Sequence, residues 1–134
     1  MSVIPKYARL VAPALALAGV IAAAPEAAAA PQAVYKLVAQ CPVYHGSQPA
    51  RTVKLWWNIS AGLWHAQIVG GSPGDVVKLW WKDSLLSGWR GTTQASIPAN
   101  QTSVNTADVA GYLYAQGTGY VGKDSCATGA QHRP

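Results

Sequence analysis

Val53-Lys54-Leu55-Trp56-Trp57 recurs 24 residues later as Val77-Lys78-Leu79-Trp80-Trp81. The reading of these two pentapeptides decides the fold. In each, apolar and polar side chains alternate with period two, which is the pattern of a half-buried strand and not of a helix. Val53, Leu55 and Trp57 fall on one face, with Thr52, Lys54 and Trp56 on the other. Val77, Leu79 and Trp81 repeat the inner set against Lys78 and Trp80. Between them, residues 63–69 put Trp64, Ala66 and Ile68 together, with His65 and Gln67 opposite. The sequence flanking the two copies does not match. The repeat therefore reads as two strands with the same need, one apolar and one polar face, and not as a repeat architecture.

The alternation extends outward from this centre. Strands are predicted over 34–39, 52–58, 63–69, 76–82, 89–97, 102–106, 112–116 and 120–126, and no helical period persists beyond a turn or two. Turn chemistry separates them. Ser60-Ala61-Gly62 closes a hairpin, Gly70-Gly71-Ser72-Pro73-Gly74-Asp75 makes a longer reversal, and Pro98-Ala99-Asn100-Gln101 ends a strand. Asn58-Ile59-Ser60 and Asn100-Gln101-Thr102 have the form of glycosylation sequons and are read as turn residues. Roughly seven to eight short strands at this spacing predict an all-β domain. It is either a small antiparallel β-sandwich, Ig-like in general shape, or a partly open barrel.

The first thirty residues belong to a different category. Lys6 and Arg9 precede an uncharged apolar run from Leu10 to Ala24, and Ala27 to Ala30 supply small residues for cleavage. This is the layout of a secretory signal peptide, read here as residues 1–29, with a single domain over 30–134. Pro13, Pro25, Glu26 and the alanine content argue against a retained membrane anchor. In an exported chain, Cys41 and Cys126 are expected to be joined, closing the domain near its two ends.

Beyond the leader, eight basic side chains face four aspartates, and glutamate is absent. The basic residues are scattered singly, which argues against nucleic acid as the partner. All six tryptophans lie between 56 and 89. If the paired tryptophans each send one ring inward, Trp56 and Trp80 stand outside beside Lys54 and Lys78. His65 and Gln67 are expected to share that face. Such an aromatic and basic surface suits a sugar ring or a peptide with apolar anchors. Cross-strand aromatic pairing that only stabilises the sheet explains the same residues. No catalytic constellation emerges. His45, His65 and His132 are isolated, no metal-ligand spacing occurs, and no Gly-x-Ser-x-Gly elbow is present. Neither a cofactor nor a metal is expected.

Arg51 to Trp57, followed by Gly62 to Leu79, resembles small secreted β-domain proteins of actinomycetes, whose function is uncharacterised. Trp64, Ile68, Pro73, Gly74 and Asp75 carry the resemblance, and Trp89-Arg90-Gly91 extends it. It implies a β fold and an extracellular location. The functional expectation is a secreted binding or structural module, an adaptor or inhibitor acting on another extracellular protein. The alternatives are a module that recognises cell-envelope polysaccharide and a small secreted hydrolase.

Overall fold

A computed structural model describes residues 33–134; the leader expected over 1–29 lies outside the described residues. Alternation in the sequence becomes two antiparallel sheets packed face to face, a sandwich and not a closed barrel. Ten strands follow in chain order: β1 (Tyr35–Val43), β2 (Arg51–Asn58), β3 (Leu63–Val69), β4 (Val76–Lys82), β5 (Gly91–Ser96), β6 (Val104–Asn105), β7 (Val109–Ala110), β8 (Tyr114–Val121), β9 (Asp124–Ala127) and β10 (Gln131–His132). The first sheet runs β1-β2-β3-β6, with β7 also on the free edge of β3. The second runs β10-β8-β4-β5, with β9 beside β8. The two copies of the pentapeptide therefore lie in different sheets.

Inward side chains from both sheets make one core. Val43, Val53, Leu55, Trp64, Ala66, Ile68, Val77, Leu79 and Ala115 are fully buried, with Trp57, Ile97 and Val121 nearly so. Trp57 meets Trp64 edge to face, with ring centroids 4.9 Å apart. The Trp64 indole nitrogen donates to the Tyr112 carbonyl at 2.8 Å, so its polar edge does not oppose its burial. Trp81 is only partly buried and packs against the margin of the core.

The predicted turns form, and each has its own chemistry. Gly62 takes the left-handed conformation that closes the β2–β3 hairpin, and the Asn58 side chain accepts a bond from the Ala61 amide at 3.0 Å. Asn100 is also left-handed, with φ of 63°, within the reversal after Pro98. The 70–75 segment carries the chain from the first sheet to the second. There the Asp75 carboxylate accepts the Ser72 amide and the Arg51 guanidinium, both at 2.9 Å.

Two predicted strand boundaries need correction. The segment predicted over 120–126 is not one strand, because Gly122, with φ of 59°, turns β8 into β9. The segment predicted over 112–116 and the start of that predicted over 120–126 are joined in the continuous strand β8, because Gly117 and Gly119 do not interrupt it. They thin it instead: a Cβ on Gly119 would collide with Val53 of the opposing sheet. Glycine here is a packing requirement. Cys41 and Cys126 form the expected disulfide, with Cα atoms 6.1 Å apart. Cys41 pairs with Val53 on β1–β2, and Cys126 with Gly119 on β8–β9. The link thus joins the two sheets along one edge. A loop of 85 residues gives on the order of 4–5 kcal/mol in the chain-entropy account.

Candidate functional site

Placement in two sheets divides the expected single face. Lys54, Trp56, His65 and Gln67 project from the outside of the first sheet, whereas Lys78 and Trp80 project from the outside of the second. Period two settles whether a side chain points in or out, but not to which sheet its strand belongs. All six residues are half-buried on their respective surfaces.

On the first sheet they meet a groove of about 520 Å³ lined by Tyr35, Trp56, His65 and Gln67 on one side and residues 105–108 on the other. Trp56 and His65 are direct partners across β2 and β3, and their rings stack with planes 20° apart. The Trp56 indole donates to the Gln67 side-chain carbonyl at 2.9 Å. This bond fixes the ring and leaves the Gln67 amide nitrogen as a donor. Lys54 holds its ammonium 5.9 Å from the Trp56 ring centroid, within reach of a cation–π attraction.

Two irregularities build the walls. In β1 the register shifts between Leu37 and Ala39, and before the shift Tyr35 lies opposite Asn58. The Tyr35 ring then stands edge-on to His65, centroids 5.3 Å apart. On the far side, Asn105 pairs with Gln67 and Val109 with Trp64. Residues 106, 107 and 108 therefore face only His65 and Ala66, which makes a bulge that re-aims a side chain. The Thr106 hydroxyl accepts the Ala66 amide at 3.0 Å, and the Thr106 amide donates to the Ala66 carbonyl at 2.8 Å. The bulge turns Asp108 toward the imidazole: Asp108 Oδ1 lies 3.5 Å from His65 Nδ1.

That imidazole is the unusual group. Its Nδ1 is buried without a hydrogen-bond partner among the described residues. Burial pushes the His65 pKa below the ordinary imidazole value, and the Asp108 carboxylate opposes the shift without cancelling it. The neutral ring can therefore donate or accept in the groove, while Asp108, about half exposed, keeps its carboxylate open to a ligand. Thr106, the one aliphatic hydroxyl in the lining, is already committed to Ala66 and to the Ala107 carbonyl. No cluster of three or more metal-ligating side chains occurs among the described residues, and no helix among them is long and apolar enough to cross a membrane.

Of the expected residues, then, Trp56, His65 and Gln67 line the groove, Lys54 flanks it, and Lys78 and Trp80 lie elsewhere. Tyr35, Asn105, Thr106, Ala107 and Asp108 were not singled out in the sequence. Asp108 looks there like one of four scattered carboxylates, and only the docking of β6 and β7 on β3 shows its partner. Comparison with protein-family models, curated proteins and solved structures found no match.

Proposed function

We propose that this protein is an exported binding module and that the groove on its first sheet takes a glycan chain. The observation that carries the reading is the fixed Trp56 indole set beside the planar polar groups of Gln67, Asn105 and Asp108. A sugar ring has an apolar face of C–H groups and a rim of hydroxyls. The first fits an aromatic ring, and the second fits amides and a carboxylate that bond two neighbouring hydroxyls. A groove of about 520 Å³ is of the size that holds small ligands. Export is supported by the leader-like pattern of residues 1–29 and by the Cys41–Cys126 disulfide, since such bonds persist in oxidising compartments. The same setting fits the small secreted actinomycete proteins that residues 51–91 resemble.

The test is titration of cello-, xylo- and chito-oligosaccharides, followed by tryptophan fluorescence and calorimetry. At least one should bind, and Trp56→Ala and Asp108→Asn should each weaken it by about tenfold or more while the domain stays folded. Absence of binding by every sugar, or binding indifferent to both variants, overturns the reading.

A second reading, docking to another extracellular protein, is favoured by one feature. The β4–β5 turn presents Leu85 and Leu86 to solvent, and Leu86 is 97 % exposed. Reciprocal bonds between Ser84 and Ser87 hold that turn, and Lys82 Nζ donates to the Leu85 carbonyl at 3.0 Å. An apolar pair on a pre-organised turn is the form of an interface anchor. If it serves that role, Leu85→Ser with Leu86→Ser should abolish a cross-link to an extracellular partner and leave glycan binding unchanged.

A further inference from the structure

The second pentapeptide copy builds, on the opposite outer face, an element that parallels the first in three respects. Lys78 holds its ammonium 5.6 Å from the Trp80 ring centroid, as Lys54 does at 5.9 Å from Trp56. The Trp80 indole donates to Thr118 on the neighbouring strand at 2.9 Å, as Trp56 does to Gln67. A second aromatic ring stands beside each tryptophan: Trp89 at 6.3 Å from Trp80, and Tyr35 at 6.5 Å from Trp56. The indole is fixed in the same way on both faces.

The surroundings differ in charge. The direct cross-strand partners of Lys78 are Gln94 and Thr118, and those of Trp80 are Thr92 and Gln116. None of them is acidic. Lys78 also lies 5.1 Å from the Tyr120 ring centroid, so its ammonium sits between two aromatic faces without a carboxylate partner. Lys82, four residues further along β4, is buried over Trp89 and bonded to the Leu85 carbonyl. The aspartate at the end of this strand, Asp83, is paired with Arg90. One open ammonium, flanked by aromatic rings and by neutral amides and hydroxyls, is therefore what this face offers.

We propose that the outer face of the second sheet is a second glycan site, specific for an acidic sugar. A ring stacks on Trp80 and Trp89, its carboxylate or other acid group meets Lys78, and its hydroxyls meet Gln94, Gln116 and Thr92. Glycan as the ligand class rests on the reading of the first groove; the acidic preference rests on the charge of this face. A nucleic acid would engage several cations through successive phosphates, and this face has one that is open. The two sites look in opposite directions from the sandwich. One molecule can therefore hold a neutral and an acidic chain at once and act as a cross-link between them.

The test uses the folded exported domain with hexagalacturonate and cellohexaose, each titrated separately, and a single-stranded oligonucleotide of matched charge as control. The expected result is hexagalacturonate binding that falls by about tenfold or more in Lys78→Gln and in Trp80→Ala, weakens with salt, and is unchanged in Trp56→Ala. Lys78→Gln removes the charge but keeps a polar side chain, and it guards against a Trp80→Ala variant that fails to fold. Binding of the neutral sugar with none of the acidic one overturns the second site and leaves the groove reading intact. Acidic binding lost in Trp56→Ala but not in Lys78→Gln or Trp80→Ala does the same, by placing that sugar in the groove. Equal binding of the oligonucleotide overturns the assignment to glycan. Binding of no sugar overturns both sites.

Discussion

The two copies of Val-Lys-Leu-Trp-Trp are a controlled comparison inside one chain. They start alike. Two residues before each valine stand Arg51 and Asp75, and these equivalent positions bond to each other across the interior, Nε to Oδ2 at 2.9 Å. They also bury alike at Val53 and Val77 and at Leu55 and Leu79, all four fully enclosed. They differ at the final tryptophan. Trp57 is enclosed by Trp64 and approached by Gly111, whereas Trp81 lies partly open over Gly91 and stacks on Tyr112 with centroids 5.9 Å apart. An identical pentapeptide thus fixes the alternation of its own side chains, while the neighbouring strands fix how much of each is covered.

The sharpest way to break this comparison is to truncate the two inner rings. Trp57→Ala should cost about 3–5 kcal/mol, the range for a large buried aromatic. Trp81→Ala should cost clearly less, because part of its ring already faces water. Urea melts of both variants measure the difference. Equal losses would mean that Trp81 is as much a core residue as Trp57, and the two ends of the sandwich would then be equivalent.

Next in size is the ion pair that joins the two starting points. Arg51 and Asp75 side chains are 5 % and 10 % exposed. Removing one partner leaves the other buried and uncompensated, at a cost of about 3–5 kcal/mol for a fully buried pair and less where water reaches it. Asp75→Asn should destabilise more than Trp81→Ala if the pair pins the crossover, since Asp75 also accepts the Ser72 amide. Arg51→Met with Asp75→Leu should recover much of the loss, because apolar replacement of both partners removes the stranded charge. Failure of the double variant to recover would assign the cost to the turn and not to the pair.

The comparison also separates what was legible in the sequence from what was not. β3 and β4 occupy the residues that alternation predicts, Leu63–Val69 and Val76–Lys82, because each keeps one apolar face against the core. The Cys41–Cys126 pairing followed from an even cysteine count in a chain whose first residues have the pattern of an export leader. Alternation is a property of one strand, however, and sheet membership is a property of pairs. Trp56 and Trp80 therefore looked like neighbours until the 70–75 reversal was seen to carry the chain into the other sheet. Gly117 and Gly119 looked like breaks because the reason for them, Val53, is remote in sequence. Asp108 was hidden for a third reason. β6 and β7 are two residues each, too short to show a period, and the bulge between them aims the carboxylate.

The smallest expected effect lies in the residue that distinguishes the outer faces. Trp80 has Thr92 and Gln116 as its cross-strand partners, neither of which titrates, whereas Trp56 has His65. Burial lowers the His65 pKa in the folded state, so above about pH 6.5 the ring is neutral in both folded and unfolded chains and contributes no pH dependence. As pH falls below that value, the unfolded chain takes up the proton first, and stability is lost until the folded-state pKa is also passed. His65→Gln should therefore flatten the stability profile between pH 7 and pH 5 relative to the parent. Asp108→Asn should extend the loss to lower pH, because it removes the one charge that favours the protonated ring. Chemical denaturation at half-unit pH steps resolves both slopes. A profile that is steeper in His65→Gln than in the parent would mean that the carboxylate dominates and burial does not, because His65 would then add stability as pH falls, and the imidazole in the groove would hold its proton above the pH at which the unfolded chain loses it.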